Sequence, residues 1–222
     1  MMSIGYVQRT MERMRSQPAR ESPLPPLDPD LLIRLKELCH EGWEIWSRFD
    51  VEVRGEEFHP FVAAEYELVL DALIPLRKPG RRFLEWGSAT GVVTIISDLL
   101  GFEAYGIELD STLVGEARRL ATAWGSDARF AVGSFLPTGY RFKDSGGDPR
   151  LGTIGEGTSG YLALEHPLDD FDVVYGFPWS GEESMMLDLM RRYGRPDALL
   201  LLNRVEQGVT LYRGEQSQVH EK

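Results

Sequence analysis

The sequence holds one cysteine, Cys39, four histidines and no surplus of positive charge. Each scarcity excludes something. A single thiol can neither close an internal disulfide nor pair with a second cysteine around zinc, and no two histidines stand at metal-ligand spacing with it. No metal is expected, and a reducing, cytoplasmic setting is. Against 24 Lys and Arg stand 35 Asp and Glu, a formal net charge of −11, which disfavours phosphate backbones and anionic lipid as partners. Nucleic acid is therefore not expected, although Arg191, Arg192 and Arg195 form a local basic group. No apolar run approaches the roughly 18 residues of a membrane span. Even 92–100 is interrupted by Thr94, Ser97 and Asp98, and the opening residues contain no stretch apolar enough for a signal peptide.

What is present is ordinary globular material, 222 residues with 42% apolar and 27% charged. Residues 1–30 mix arginine with proline and read as a mobile tail. Residues 31–80 read as an N-terminal helical cap. Asp28 with Pro29 is a helix start, and Leu31, Leu35, Leu38, Trp43 and Trp46 follow at helical spacing. Pro60 opens a second helical pattern carrying Phe61, Ala64, Tyr66, Val69 and Leu73, which Pro75 must end. From Arg82 onward, over 81–222, short apolar runs alternate with helical segments, the signature of an α/β, doubly wound, mostly parallel sheet. Strands are expected at 83–86, 103–108, 128–132, 171–175 and 199–202, with an antiparallel edge strand near 209–212. Helices are expected at 92–100, at 111–124 and from Ser180, where Ser180 and Glu183 have capping-box spacing and Gly194 is the stop. The insert 136–170 breaks the rhythm: its glycines oppose a helix at about 1 kcal/mol each, so it reads as either a lid or a surface insertion.

Chemistry concentrates at Glu85-Trp86-Gly87-Ser88-Ala89-Thr90-Gly91, where a strand turns sharply into a helix. Glycine there lets backbone approach a ligand. Glu108 closes the next strand, where a carboxylate can accept hydrogen bonds from both hydroxyls of a ribose. Together they favour a nucleoside ligand. A dinucleotide oxidoreductase would want G-x-G-x-x-G, whereas this spacing is G-x-x-x-G, and Glu85 would repel a pyrophosphate while attracting an ammonium.

This segment resembles the first motif of class I S-adenosylmethionine-dependent methyltransferases, and the resemblance covers roughly 82–202. It implies a Rossmann-like sheet of order 3-2-1-4-5 plus an antiparallel edge strand, with two N-terminal helices outside it. It also implies S-adenosyl-L-methionine as cofactor. Carried over by position, Glu85 and the turn Gly87, Ser88, Ala89 and Gly91 hold the methionine part. Glu108 grips the ribose with Leu109 and Asp110 beside it, and Gly133, Ser134 and Phe135 stand where the adenine is met.

The end of the fourth strand, Tyr175-Gly176-Phe177-Pro178-Trp179, resembles the fourth motif of amino-methylating members only in Pro178 and Trp179. Gly176 replaces the side chain that would accept from a substrate amine. Phe177 and Trp179 could face a sulfonium or clamp a flat substrate, or simply pack the sheet end. Trp179 and His59 are the candidate catalytic residues, His59 as a general base on a segment closing over the cofactor. The acceptor would be a small molecule or a protein side chain; the alternative is a noncatalytic nucleoside-binding module or partner subunit. The sequence assigns no oligomeric state.

Overall fold

A computed structural model describes residues 24–54, 59, 61–141, 157–179, 181–205, 207–213 and 216–218. The expected mobile tail up to residue 23, the middle of the insert at 142–156, Phe58, Pro60 and Ser180 lie outside the described residues. Helix α1 (Pro29–Phe49) starts as its residues require: the Asp28 side chain accepts from Asp30 N, and Pro29 fills the first turn, where no donor is missed. A π-helical turn, Asp50–Arg54, follows it. Helix α2 (Tyr66–Leu73) runs into a 3-10 turn at Ile74–Leu76.

Strand and helix then alternate: β1 (Arg82–Trp86), α3 (Val92–Leu99), β2 (Glu103–Glu108), α4 (Ser111–Trp124) and β3 (Arg129–Val132). Inside the insert, despite its glycines, lies the single turn α5 (Tyr161–Leu164); after the insert come β4 (Val173–Gly176), α6 (Glu182–Tyr193), β5 (Leu199–Arg204), β6 (Gly208–Arg213) and β7 (Gln216–Gln218). The sheet order is β3-β2-β1-β4-β5-β6-β7, with β1 to β5 parallel and β6 and β7 antiparallel. This is the doubly wound, Rossmann-like arrangement expected, lengthened at one edge by β7.

Alternation along each strand divides the core into two layers. Phe83, Tyr175, Leu199 and Leu201 face α1 to α4, where Leu35, Leu38, Val69, Leu73, Ile95 and Val114 bury against them. Leu84, Trp86, Val174, Leu200 and Leu202 face α5 and α6, meeting Tyr161, Met185, Met186 and Leu189.

Two local expectations are corrected. The second helix starts at Tyr66, not after Pro60: residues 61–65 are non-helical, yet Phe61, Ala63 and Ala64 are buried. Their apolar character reflects a strap pressed onto the sheet end, and burial of a strap imitates the spacing of a helix face. At α6 the Ser180 partner expected for Glu183 lies outside the described residues, and the Glu183 carboxylate is engaged elsewhere. Gly181, at φ +90°, precedes the helix, and the buried Glu182 carboxylate reaches back to accept from Trp179 N at 3.0 Å. Glu183 instead pairs with Arg204 and accepts from the Tyr212 hydroxyl, tying α6 to β5 and β6.

Candidate active site

Because the strand order reverses between β1 and β4, the helices leaving these strands part to opposite faces and open a crevice at the strand ends. A cavity of about 80 Å3 lies there, lined by His59, Trp86, Gly87, Ala89, Glu108, Phe135, Phe177 and Trp179, with Phe61, Val62, Leu113 and Met186. A smaller one of about 30 Å3 adjoins it and reaches Glu85, Ser88, Thr90, Tyr66 and Tyr175. A larger concavity of about 580 Å3 lies elsewhere, between α5 and the end of α6. Its arginines are already paired, Arg192 with Asp188 and Arg195 with Asp172 and Asp197, so the chemistry is assigned to the strand ends.

The glycine turn is built as its sequence demands. Gly87 has φ +70°, and a side chain added there would meet nothing within 4 Å, so this backbone stands open to the crevice. Gly91, at φ +77°, serves packing: an added Cβ would lie 2.6 Å from the Phe130 ring and 2.9 Å from Ala117. Between them Ala89 adopts φ +45°, costly for a residue with a side chain. Its amide is held by Glu108, whose Oε2 accepts from Ala89 N at 2.9 Å while Oε1 accepts from Asp110 N at 3.0 Å. One carboxylate therefore fixes both loops of the crevice. Burial raises the pKa of Glu108, with the amides of Asp110, Ala89 and Leu109 opposing.

Glu85 lies beneath the turn, 5% exposed. Its Oε2 accepts from Thr94 N at 2.9 Å and from Thr94 Oγ1 at 2.5 Å. Burial pushes its pKa up to about 8 despite these bonds, and the nearby Glu108 adds to the rise. A cationic ligand group nearby would favour its ionised form.

His59 bridges the strap to the loop after β2. Its Nδ1 accepts from Phe61 N at 3.1 Å, so Nε2 carries the proton and donates to Asp110 Oδ2 at 3.2 Å. Burial opposes ionisation of Asp110, but bonds from Thr112 N, His59 and Leu113 N prevail and hold its pKa below the ordinary value. With its one lone pair taken, His59 is placed to hold the strap rather than to accept a substrate proton.

Of the other expected residues, Phe135 lines the crevice and stacks on Trp86 with ring centroids 5.4 Å apart, and the Trp86 indole donates to the Tyr161 hydroxyl. Phe177 and Trp179 line the opposite wall. Three do not line it. Gly133 lies against Thr158 and Gly160, Leu109 against Gly157, and the Ser134 hydroxyl accepts from Leu136 N while its backbone bridges to Ser159. Ser88 is buried with its hydroxyl unpaired beside Gly106. Sequence reasoning missed Trp86, Val62, Leu113 and Met186 as lining residues. Trp86 was hidden inside a strand read only as core, and Met186 by a sequence distance of about a hundred residues from the turn it faces.

The donor set suits an adenosyl amino acid: open backbone at Gly87, a carboxylate at the end of β2 and a second, buried carboxylate beneath the turn. The chain matches a ribosomal protein L11 methyltransferase of Thermus thermophilus, 30% identical over 103 residues, which is 44% of this chain and 41% of that protein. The chain thus spans about two fifths of the length of the curated relative it matches. It is similar to S-adenosylmethionine-dependent methyltransferases. Among solved structures, a methyltransferase of Thiobacillus denitrificans in complex with S-adenosyl-L-homocysteine is 19% identical, with a TM-score of 0.43 over 71% of this chain and 54% of that one. A precorrin-6y C5,15-methyltransferase of Geobacter metallireducens is 14% identical, with a TM-score of 0.41 over 61% and 59%. No family model matches the sequence.

Proposed function

We propose that this chain is an S-adenosylmethionine-dependent methyltransferase acting on a small molecule or a protein side chain. The observation that carries this reading is the Glu108 carboxylate, half-buried at the end of β2 and joined to the turn in which Gly87 presents bare backbone to the crevice. In this reading Glu108 accepts from the ribose hydroxyls through its remaining lone pairs. Glu85 supplies the negative charge that favours an ammonium, and Phe135 and Trp86 give the adenine a flat surface. The cofactor would supply a methyl group on a positively charged sulfur, ready for in-line displacement. What falls to the protein is alignment, exclusion of water and a surround that tolerates moving charge. Phe177 and Trp179 fulfil the last two from the β4 side.

The crevice is narrow. Its two parts are far below the roughly 300 Å3 at which pockets for drug-sized ligands begin, because His59, Phe61 and Val62 reach into it. Cofactor binding therefore requires the strap to lift, against the His59 to Asp110 bond, the packing of His59 and Phe61 on the Phe49 ring, and the burial of Phe61, Ala63 and Ala64.

Isothermal titration with S-adenosylhomocysteine tests the reading. Binding in the micromolar range, stronger than that of NAD, is expected; absence of binding at millimolar ligand overturns it. The second reading, a noncatalytic nucleoside-binding subunit, rests on Gly176, which offers a substrate no side chain at the end of β4; methyl turnover on any acceptor eliminates it.

A further inference from the structure

Resting on the methyltransferase reading, we infer that Glu85 selects the amino acid part of the cofactor by exchange: in the empty crevice its carboxyl holds a proton, and it releases that proton to water as the ammonium of the ligand arrives. The geometry starts with its hydrogen bonds. Glu85 is 5% exposed beneath the turn, and both of its described bonds, from Thr94 N at 2.9 Å and from Thr94 Oγ1 at 2.5 Å, fall on Oε2. A neutral carboxyl keeps both, because one oxygen accepts while the other carries the proton.

Among the described residues, no element packed around Glu85 offers it a positive charge. The cavity of about 30 Å3 beside it is lined by Tyr66 from α2, Tyr175 from β4, Thr90 from the turn, and Phe61 and Val62 from the strap, and no Lys, Arg or His lines it. From β2 comes Glu108, a second acid, and from α1 the buried Cys39 thiol, which acts on Tyr66. Burial raises the Cys39 thiol to about 12 and lifts the hydroxyls of Tyr66 and Tyr175, so all three stay neutral. His59 lines the neighbouring part of the crevice and is engaged with Asp110. A carboxylate buried in this company has no cationic partner, and burial without one favours the protonated acid. Its pKa of about 8 agrees.

The exchange keeps the buried site neutral in both states. Before binding, an uncharged acid faces the cavity. After it, a carboxylate faces an ammonium: the O–H bond breaks, its electron pair stays on oxygen and the proton passes to solvent. A nucleoside without the amino acid brings no charge to replace the proton and leaves it in place. Below the pKa of Glu85 the ammonium must displace a proton, so affinity is lower; as pH rises to about 8 that cost disappears, and above it affinity is level. Glu85 thereby prefers an adenosyl amino acid to a bare adenosyl thioether more strongly as pH rises.

The test is isothermal titration of the full chain between pH 6 and pH 8.5 with two ligands that share the adenosyl sulfur, S-adenosylhomocysteine and 5′-methylthioadenosine. Expected is an affinity for S-adenosylhomocysteine that rises about tenfold from pH 6 to pH 7 and levels off past pH 8, with release of about one proton at pH 6.5 in buffers of differing ionisation heat. The thioether, which lacks the ammonium, should show neither. His59, Asp110 and Glu108 meet both ligands alike, so the difference between the two isolates Glu85, and Glu85→Gln should abolish it. A flat affinity for S-adenosylhomocysteine, an equal pH dependence for both ligands, or a rise that persists in Glu85→Gln overturns the inference. Should that variant fail to fold, the two ligands on the unaltered chain decide. Binding of S-adenosylhomocysteine without proton release overturns the exchange while leaving the methyltransferase reading standing; failure to bind it overturns both.

Discussion

Two glutamates beside the turn, Glu85 and Glu108, illustrate what single residues decide. Without a cationic group beside it, burial pushes the pKa of Glu85 up from 4.5 to about 8. Between those values the folded chain holds a proton that the unfolded chain has released, so stability falls as pH rises through that window, by about 1.4 kcal/mol per pKa unit at most. Glu85→Gln should flatten this decline, as urea unfolding at several pH values within the window would show; an unaltered slope would mean that Glu85 is not the group responsible. Glu108 has a different task, fixing two loops through backbone amides that oppose the rise in pKa its burial causes. Its replacement by alanine should weaken S-adenosylhomocysteine binding by about 1–3 kcal/mol in calorimetry, and glutamine, which keeps one acceptor oxygen, should cost less. The two turn glycines separate likewise. Gly87→Val should fold, at a backbone cost of about 1–2 kcal/mol, yet lose the ligand. Gly91→Val should lower the melting temperature much further, since its side chain would collide with Phe130 and Ala117.

Elements show where a linear pattern misleads. The strap 61–65 carries apolar residues because it covers the sheet end, and nothing in the spacing of Phe61 and Ala64 distinguishes that from a helix. Its polar tie to the loop after β2 is the bond from His59 to Asp110. His59→Ala should therefore speed ligand association several-fold in stopped-flow measurements while leaving the melting temperature nearly unchanged; equal association rates would show that the strap does not gate the crevice. At α6 two adjacent acids exchange the parts that spacing assigns them. Glu182 turns inward to the Trp179 amide and Glu183 outward to Arg204, a choice made by the direction of β5 and β6 rather than by the helix itself.

For the whole molecule, charge and topology matter most. With 35 acidic against 24 basic side chains, the folded chain repels itself, and its exposed ion pairs offset little of this. Raising salt from about 10 mM to about 150 mM should screen the repulsion and raise the melting temperature by a few degrees. A fall would place net stabilisation in the exposed ion pairs. The sheet order places β1 beside β4, and so brings Gly87, Glu108, Phe177 and Met186 to one crevice from positions spread across about a hundred residues.

By itself the sequence determined the alternation of strands and helices, the turn at Glu85 to Gly91 and the acid at Glu108, because each rests on local physics: side-chain period, the φ that glycine permits, and a carboxylate at a strand end. Only the tertiary structure decided that Met186 lines the crevice, that the lone pair of His59 is taken, that Trp86 supports Phe135, and that Gly133, Leu109 and Ser134 turn away from the crevice. Those outcomes depend on which distant elements meet, and packing between elements far apart in the chain leaves no mark on the spacing of residues along it.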